Sequence, residues 1–120
     1  INFLKNQKKI SKILYPYKTS SKELKLLKKY YSGASGLLSI IIKSKSKNSV
    51  YKFVNSLELF GIGYSWGGFE SLAVYTDPVE LGTRRYFKIK KNEHLVRLHV
   101  GLEDPNDLIR DIKKSLKFIK

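Results

Sequence analysis

Residues His94 to Gly101 alternate with period two: Val96, Leu98 and Val100 point one way, Leu95, Arg97 and His99 the other. Only an extended chain sorts side chains like this. The purely aliphatic face needs a cover, and the next residues supply one. Glu103-Asp104-Pro105 opens a helix, with Asp104 as N-cap, Pro105 at the first helical position and Asp107 in the first turn. Leu108, Ile109, Ile112, Leu116 and Ile119 form its buried stripe. A half-buried strand feeding a capped helix commits the chain to layers, and the strand face turned away from the helices carries a guanidinium.

The remaining elements extend that plan. Phe3, Ile10, Ile13 and Leu14 fall near helical spacing among lysines, predicting an amphipathic helix that stops before Tyr15-Pro16-Tyr17. Thr19-Ser20-Ser21 offers an N-cap to a second helix through Leu24, Leu27, Tyr30 and Tyr31. Leu37 to Ile42 is a continuous β-branched run, as in a strand buried on both faces. Asn48 or Ser49 then caps a helix over Val50, Phe53, Val54 and Leu57, with helical pattern running to Phe60. Leu72 to Thr76 reads as a strand, and Asp77 to Asn92 as irregular, with Arg84-Arg85 in a solvated loop. The expected fold is α+β: a two-layer sandwich of a small, mostly antiparallel sheet covered on one side by helices.

The chain of 120 residues holds one core and is expected to be a single domain, residues 1–120. It starts at Ile1 and contains no Met, as a piece of a longer protein would. With Cys 0, disulfides and thiolate chemistry are excluded, and a reducing cytoplasm is the default location. No apolar run approaches the roughly 18 residues needed to cross a bilayer. The net charge of +14 is lopsided, since residues 1–60 carry 13 lysines against 2 acids. That half has no arginine, the usual reader of phosphate forks and base edges, so specific nucleic-acid binding is not expected.

Gly63-Tyr64-Ser65-Trp66-Gly67-Gly68-Phe69-Glu70-Ser71-Leu72 sets the only Trp beside a hydroxyl and paired glycines, between a helix-like and a strand-like segment. Such a loop suits either a binding site or a tight connection. Arg97 is either held out for a ligand or paired with Glu70 or Glu93. His94 and His99 lack metal-ligand spacing to acids, Ser65 has no local base, and Gly67-Gly68 has no strand–GxGxxG–helix frame. The residues therefore indicate a small binding face at Ser65, Trp66 and Arg97, without a complete catalytic set.

Two motifs carry a resemblance: Leu59 through Leu72, and Val96-Arg-Leu-His-Val-Gly-Leu-Glu-Asp-Pro-Asn-Asp-Leu-Ile109. With Tyr31 through Ile40 they resemble the C-terminal small domain of cystathionine β-lyase, in the cysteine/methionine-metabolism family that uses pyridoxal phosphate (PLP). The resemblance runs over essentially the whole chain, and Ser65-Trp66-Gly67-Gly68 fits the bacterial β-lyase branch. It implies that Arg97 grips the substrate α-carboxylate, that Ser65 lies beside the catalytic lysine, and that Tyr64 and Trp66 shape the pocket. The implied reaction is α,β-elimination from cystathionine in transsulfuration and methionine biosynthesis, with PLP as electron sink and a Schiff-base lysine moving the proton.

His94 departs from the small residue expected before the Arg strand. The PLP-binding lysine belongs to a large domain absent from this chain. Thr19-Ser20-Ser21-Lys22 is similar to that lysine's setting but sits at a helix start. The resemblance thus implies a fragment that is silent alone and binds no PLP, whose partner is a large domain in the same or a separate chain, within homo-oligomers. The alternative from charge alone is a basic non-catalytic module for nucleic acid or another anionic partner.

Overall fold

β2 (Leu37–Lys43) and β5 (Glu93–His99) lie side by side in the middle of the molecule, as their apolar content demands. The computed structural model describes residues 1–77 and 87–120, so the Arg84-Arg85 loop lies outside the described residues. The sheet has the order β1-β2-β5-β4-β3, with β1 at Ile10–Leu14, β3 at Gly61–Ile62 and β4 at Leu72–Thr76. Every pairing is antiparallel except β3 with β4. Arg97 sits in register with Ser39 on one side and Val74 on the other, so its backbone is held from both flanks.

The aliphatic face of the sheet is covered as expected. Ile40, Ile42, Val96, Leu98 and Ala73 join one core with Val50, Phe53 and Val54 of α2 (Lys47–Asn55) and Leu108 and Ile112 of α3 (Pro105–Ser115). Phe53 is fully buried, worth about 2–3 kcal/mol of transfer free energy. Asp104 caps α3 by accepting from the amides of Asn106 and Asp107. The helix ends at Ser115 and a 3-10 turn over Leu116–Phe118 delivers Ile119 to the core.

Three local expectations give way, two of them to longer-range contacts. The first segment is not a helix. A 3-10 turn at Leu4–Asn6 leads into β1, which pairs along Ile40 to Ile42 through an irregular register between Ile10 and Lys12. Ile10, Ile13 and Leu14 fit a helical stripe better than strict alternation. The irregular register between Ile10 and Lys12 nevertheless sets Ile10 and Ile13 opposite Ile42 and Ile40, and the isoleucine edge of β2 decides for the strand. Exposed Lys12 also discourages further pairing on this edge.

The cap of α2 is Ser46, whose hydroxyl accepts from Ser49 N, rather than Asn48 or Ser49. The helix stops at Asn55 instead of running towards Phe60, because buried Asp111 on α3 accepts from the amides of Glu58 and Leu59 at 2.9–3.1 Å. Those bonds hold the chain out of the helix and lead it to β3.

α1 (Ser21–Tyr30) starts within the expected Thr19-Ser20-Ser21 cap, where Ser20 takes the cap position with a reciprocal capping box to Glu23. It buries none of its residues, however, so it takes no part in the helix layer. No helix among the described residues is long and apolar enough to cross a membrane.

Candidate functional site

The face of β5 turned away from the core writes the shape of the loop between β3 and β4, one residue after another. Arg97 comes first. Its guanidinium donates to the carbonyl of Tyr64, lies 3.5 Å from that of Ser65, and sits 5.8 Å from the Tyr64 ring centroid. Among the described residues it pairs with no carboxylate. Glu93 instead accepts from Lys90 N at 3.1 Å, and Glu70 is exposed. The carboxylate pair considered from sequence is therefore replaced by backbone oxygens, which hold the guanidinium in place without neutralising it.

His99 comes next, with its Nε2 at 3.2 Å from Gly67 N and 3.1 Å from Gly68 O. Of the paired glycines, Gly67 has a φ of +80°, in the left-handed region that favours glycine, and Gly68 does not.

Gly101, Leu102 and Glu103 then fasten the end of the loop. Leu102 N donates to Phe69 O at 2.8 Å. Glu103 accepts from Ser71 N at 2.8 Å and from the Ser71 hydroxyl at 2.7 Å, and that hydroxyl accepts in turn from Gly101 N. The Ser71 amide is the leading cause that holds the Glu103 carboxyl below its ordinary value of 4.5. A carboxyl depressed by folding stabilises the native state above its unfolded pKa and loses that contribution as pH falls through the folded value. Acidification from neutrality to about pH 3 is thus expected to loosen the loop more in the native chain than in Glu103→Gln. Trp66 fluorescence followed against pH in both proteins checks this, and parallel curves would count against it.

The structure so brings Tyr64, Ser65 and Arg97 into contact, with Trp66 next to them. Tyr64 and Trp66 are 77% and 67% exposed, an unusual display for such side chains beside a half-buried arginine. His94 plays no part here. Its Nδ1 is 3.1 Å from the Tyr75 hydroxyl and its Nε2 3.1 Å from Ser44 O, so this histidine belongs to a separate polar network at the strand entry. No cluster of metal-ligating side chains occurs among the described residues. His99, Ser71 and Glu103 escaped the sequence reading as parts of this site. The Gly-x-Glu spacing after the strand was visible, but its partners are loop backbone groups.

No amine joins the group. Every lysine of the chain is exposed except half-buried Lys9, whose ammonium donates to Leu116 O and Ile119 O. These residues do not by themselves fit PLP, which needs a buried lysine for its Schiff base. The arrangement is suited to holding a carboxylate or another small anion at Arg97, beside the Tyr64 ring.

Comparison with known proteins gives the family. A cystathionine beta-lyase from Bordetella avium is 40% identical over 114 residues, covering 95% of this chain and 28% of that protein. An L-alanine/L-glutamate racemase from Wolbachia pipientis is 36% identical over 115 residues, again 95% of this chain and 28% of the relative. A Campylobacter jejuni structure assigned as an O-acetylhomoserine (thiol)-lyase, with N'-pyridoxyl-lysine-5'-monophosphate, matches at a TM-score of 0.75. It is 32% identical and covers 97% of this chain and 26% of that one. The chain thus spans less than a third of the length of these relatives. The family model for Cys/Met metabolism PLP-dependent enzymes matches residues 1–117, and the chain belongs to that family.

Proposed function

We propose that residues 1–120 are the C-terminal small domain of a cystathionine β-lyase-like enzyme and supply its substrate-carboxylate arm. Arg97 holds the α-carboxylate, Ser65 and Tyr64 line the space beside it, and Trp66 closes one wall. The large domain, in the same or a separate chain, carries the lysine and PLP. The complete enzyme converts cystathionine to homocysteine, pyruvate and ammonia, and this chain alone is silent. One observation carries the reading: an arginine anchored by backbone carbonyls, with no carboxylate partner among the described residues, beside exposed Tyr64 and Trp66. The relatives named as cystathionine β-lyases support the choice of substrate.

The purified chain is expected to show no PLP absorbance and to release no thiol from cystathionine. Mixed with a PLP-bearing large domain from a relative, it is expected to release thiol and pyruvate together. Turnover by the chain alone would overturn the proposal.

The racemase relative supports a second reading, in which the same arm serves amino-acid racemisation. Both reactions need the α-carboxylate gripped, so the arm does not choose between them. Pyruvate formation from cystathionine against loss of optical activity from alanine separates the two in the assembled enzyme.

A further inference from the structure

We propose that His99 is a positioning residue that latches the Trp66-Gly67-Gly68 turn and so sets the direction in which Trp66 and Ser65 are presented. Its importance for substrate rests on the functional reading above; the latch itself does not. Three observations carry it.

The first is the rigidity of the base. His99 lies on β5 in register with Leu37 of β2 and Leu72 of β4, and is 5% exposed, so its imidazole cannot wander. The second is the fit of one atom to two groups. Nε2 lies 3.2 Å from a donor, Gly67 N, and 3.1 Å from an acceptor, Gly68 O, on consecutive residues. A neutral imidazole nitrogen can serve either group, accepting in one tautomer and donating in the other. In each tautomer the turn stays tied, and the left-handed Gly67 lets both groups face the ring.

The third observation is the side of the ring that is not used. Nδ1 is buried and has no hydrogen-bond partner among the described residues. Burying an unmatched polar atom works against stability, so a leucine would serve the sheet at least as well. The imidazole is explained by what Nε2 does to the loop. Arg97 ties Tyr64 and Ser65, and Leu102 and Glu103 tie Phe69 and Ser71. Trp66 stands between the first two of these anchors, and without His99 the loop would be free from Trp66 to Gly68.

Trp66 is the only tryptophan, so its fluorescence reports the turn directly. The full chain is compared with His99→Leu, which removes the nitrogen, and His99→Gln, whose amide oxygen can reach the Gly67 N–H. In His99→Leu, Trp66 anisotropy is expected to fall and acrylamide quenching to rise about 1.5- to 2-fold, while the unfolding midpoint stays level or rises. In His99→Gln both optical signals are expected to return towards the native values. This split is the signature, since a merely structural histidine would lower the midpoint and leave Trp66 alone.

Unchanged anisotropy and quenching in His99→Leu would overturn the proposal. If that variant does not fold, hydrogen exchange in the native chain decides. A Gly67 amide protected relative to Gly68, or in the other tautomer a protected imidazole Nε2–H on Gly68 O, supports the latch, and the absence of both overturns it. No PLP or substrate enters these measurements, so failure of the lyase reading and failure of the latch are told apart.

Discussion

Arg97→Lys is expected to lower kcat/KM for cystathionine about 10²- to 10³-fold in the assembled enzyme, while the domain keeps its fold. The guanidinium already gives part of its fork to the Tyr64 carbonyl and faces the Tyr64 ring. Its remaining N–H groups stay available for a substrate carboxylate, so one planar group does two tasks. Lysine offers a rotating point charge and cannot bond the loop and hold a carboxylate with a two-pronged grip together. Losing a charge-assisted carboxylate contact of this type costs about 3–4 kcal/mol, which is the stated fall in rate. Arg97 is only half-buried, so the unfolding free energy of the domain should change by less than about 1 kcal/mol. Steady-state kinetics and a thermal melt of the same preparation check both halves. A lysine variant within about threefold of the native kcat/KM would remove Arg97 from the substrate site.

That arginine also shows what could be seen before any coordinates. Alternation along β5 is covalent geometry, so the separation of Val96 and Leu98 from Arg97 and His99 follows wherever the segment is extended. The Asp104-Pro105 start and the Thr19-Ser20-Ser21 cap are equally local, and both elements begin within those stretches. What Arg97 and His99 hold was not visible. Their partners are the carbonyls of Tyr64 and Ser65, the amide of Gly67 and the carbonyl of Gly68, groups that every residue possesses and no pattern distinguishes.

The same limit explains the first segment and the end of α2. Ile10 to Leu14 is a strand because Ile40 to Ile42 lies beside it, and α2 stops because Asp111, more than fifty residues away, takes the next amides. A carboxylate that ends another element looks, in sequence, like any acidic residue on a helix. The particular roles expected of Tyr64, Ser65 and Trp66 came from resemblance, whereas local chemistry alone marked only Ser65 and Trp66, with Arg97, as a candidate binding face.

Gly101→Ala is expected to be far more damaging than alanine at either of the paired glycines of the loop, Gly67 or Gly68. A Cβ on Gly101 would stand inside contact distance of the Phe69 carbonyl oxygen, 2.6 Å from Glu103 Oε2 and 2.7 Å from the carbonyl carbon of Glu70. The Glu103 side chain could swing aside, but its place is fixed by Ser71, and the other two atoms are backbone. Relief therefore requires the loop to lift, which breaks the Leu102–Phe69 bond and strains the one from Gly101 N to the Ser71 hydroxyl. Overpacking together with the lost bonds should cost about 3 kcal/mol or more, a fall in Tm of about 10 °C.

The neighbouring glycines calibrate the effect. Gly67→Ala meets no atom but must hold a left-handed φ, for about 1–2 kcal/mol, and Gly68→Ala meets nothing within 4 Å and should lie within about 0.5 kcal/mol of the native chain. Melts of the three alanine variants test that order, and a harmless Gly101→Ala would mean that the loop does not press on the end of β5. Because this clamp fixes the end of the loop that carries Trp66, the Gly101 variant should also lose assembled activity, whereas Gly68→Ala should keep its fold. The close approach that makes glycine necessary at 101 is what brings a mobile type of segment, a glycine-rich aromatic loop, under the control of a rigid central strand.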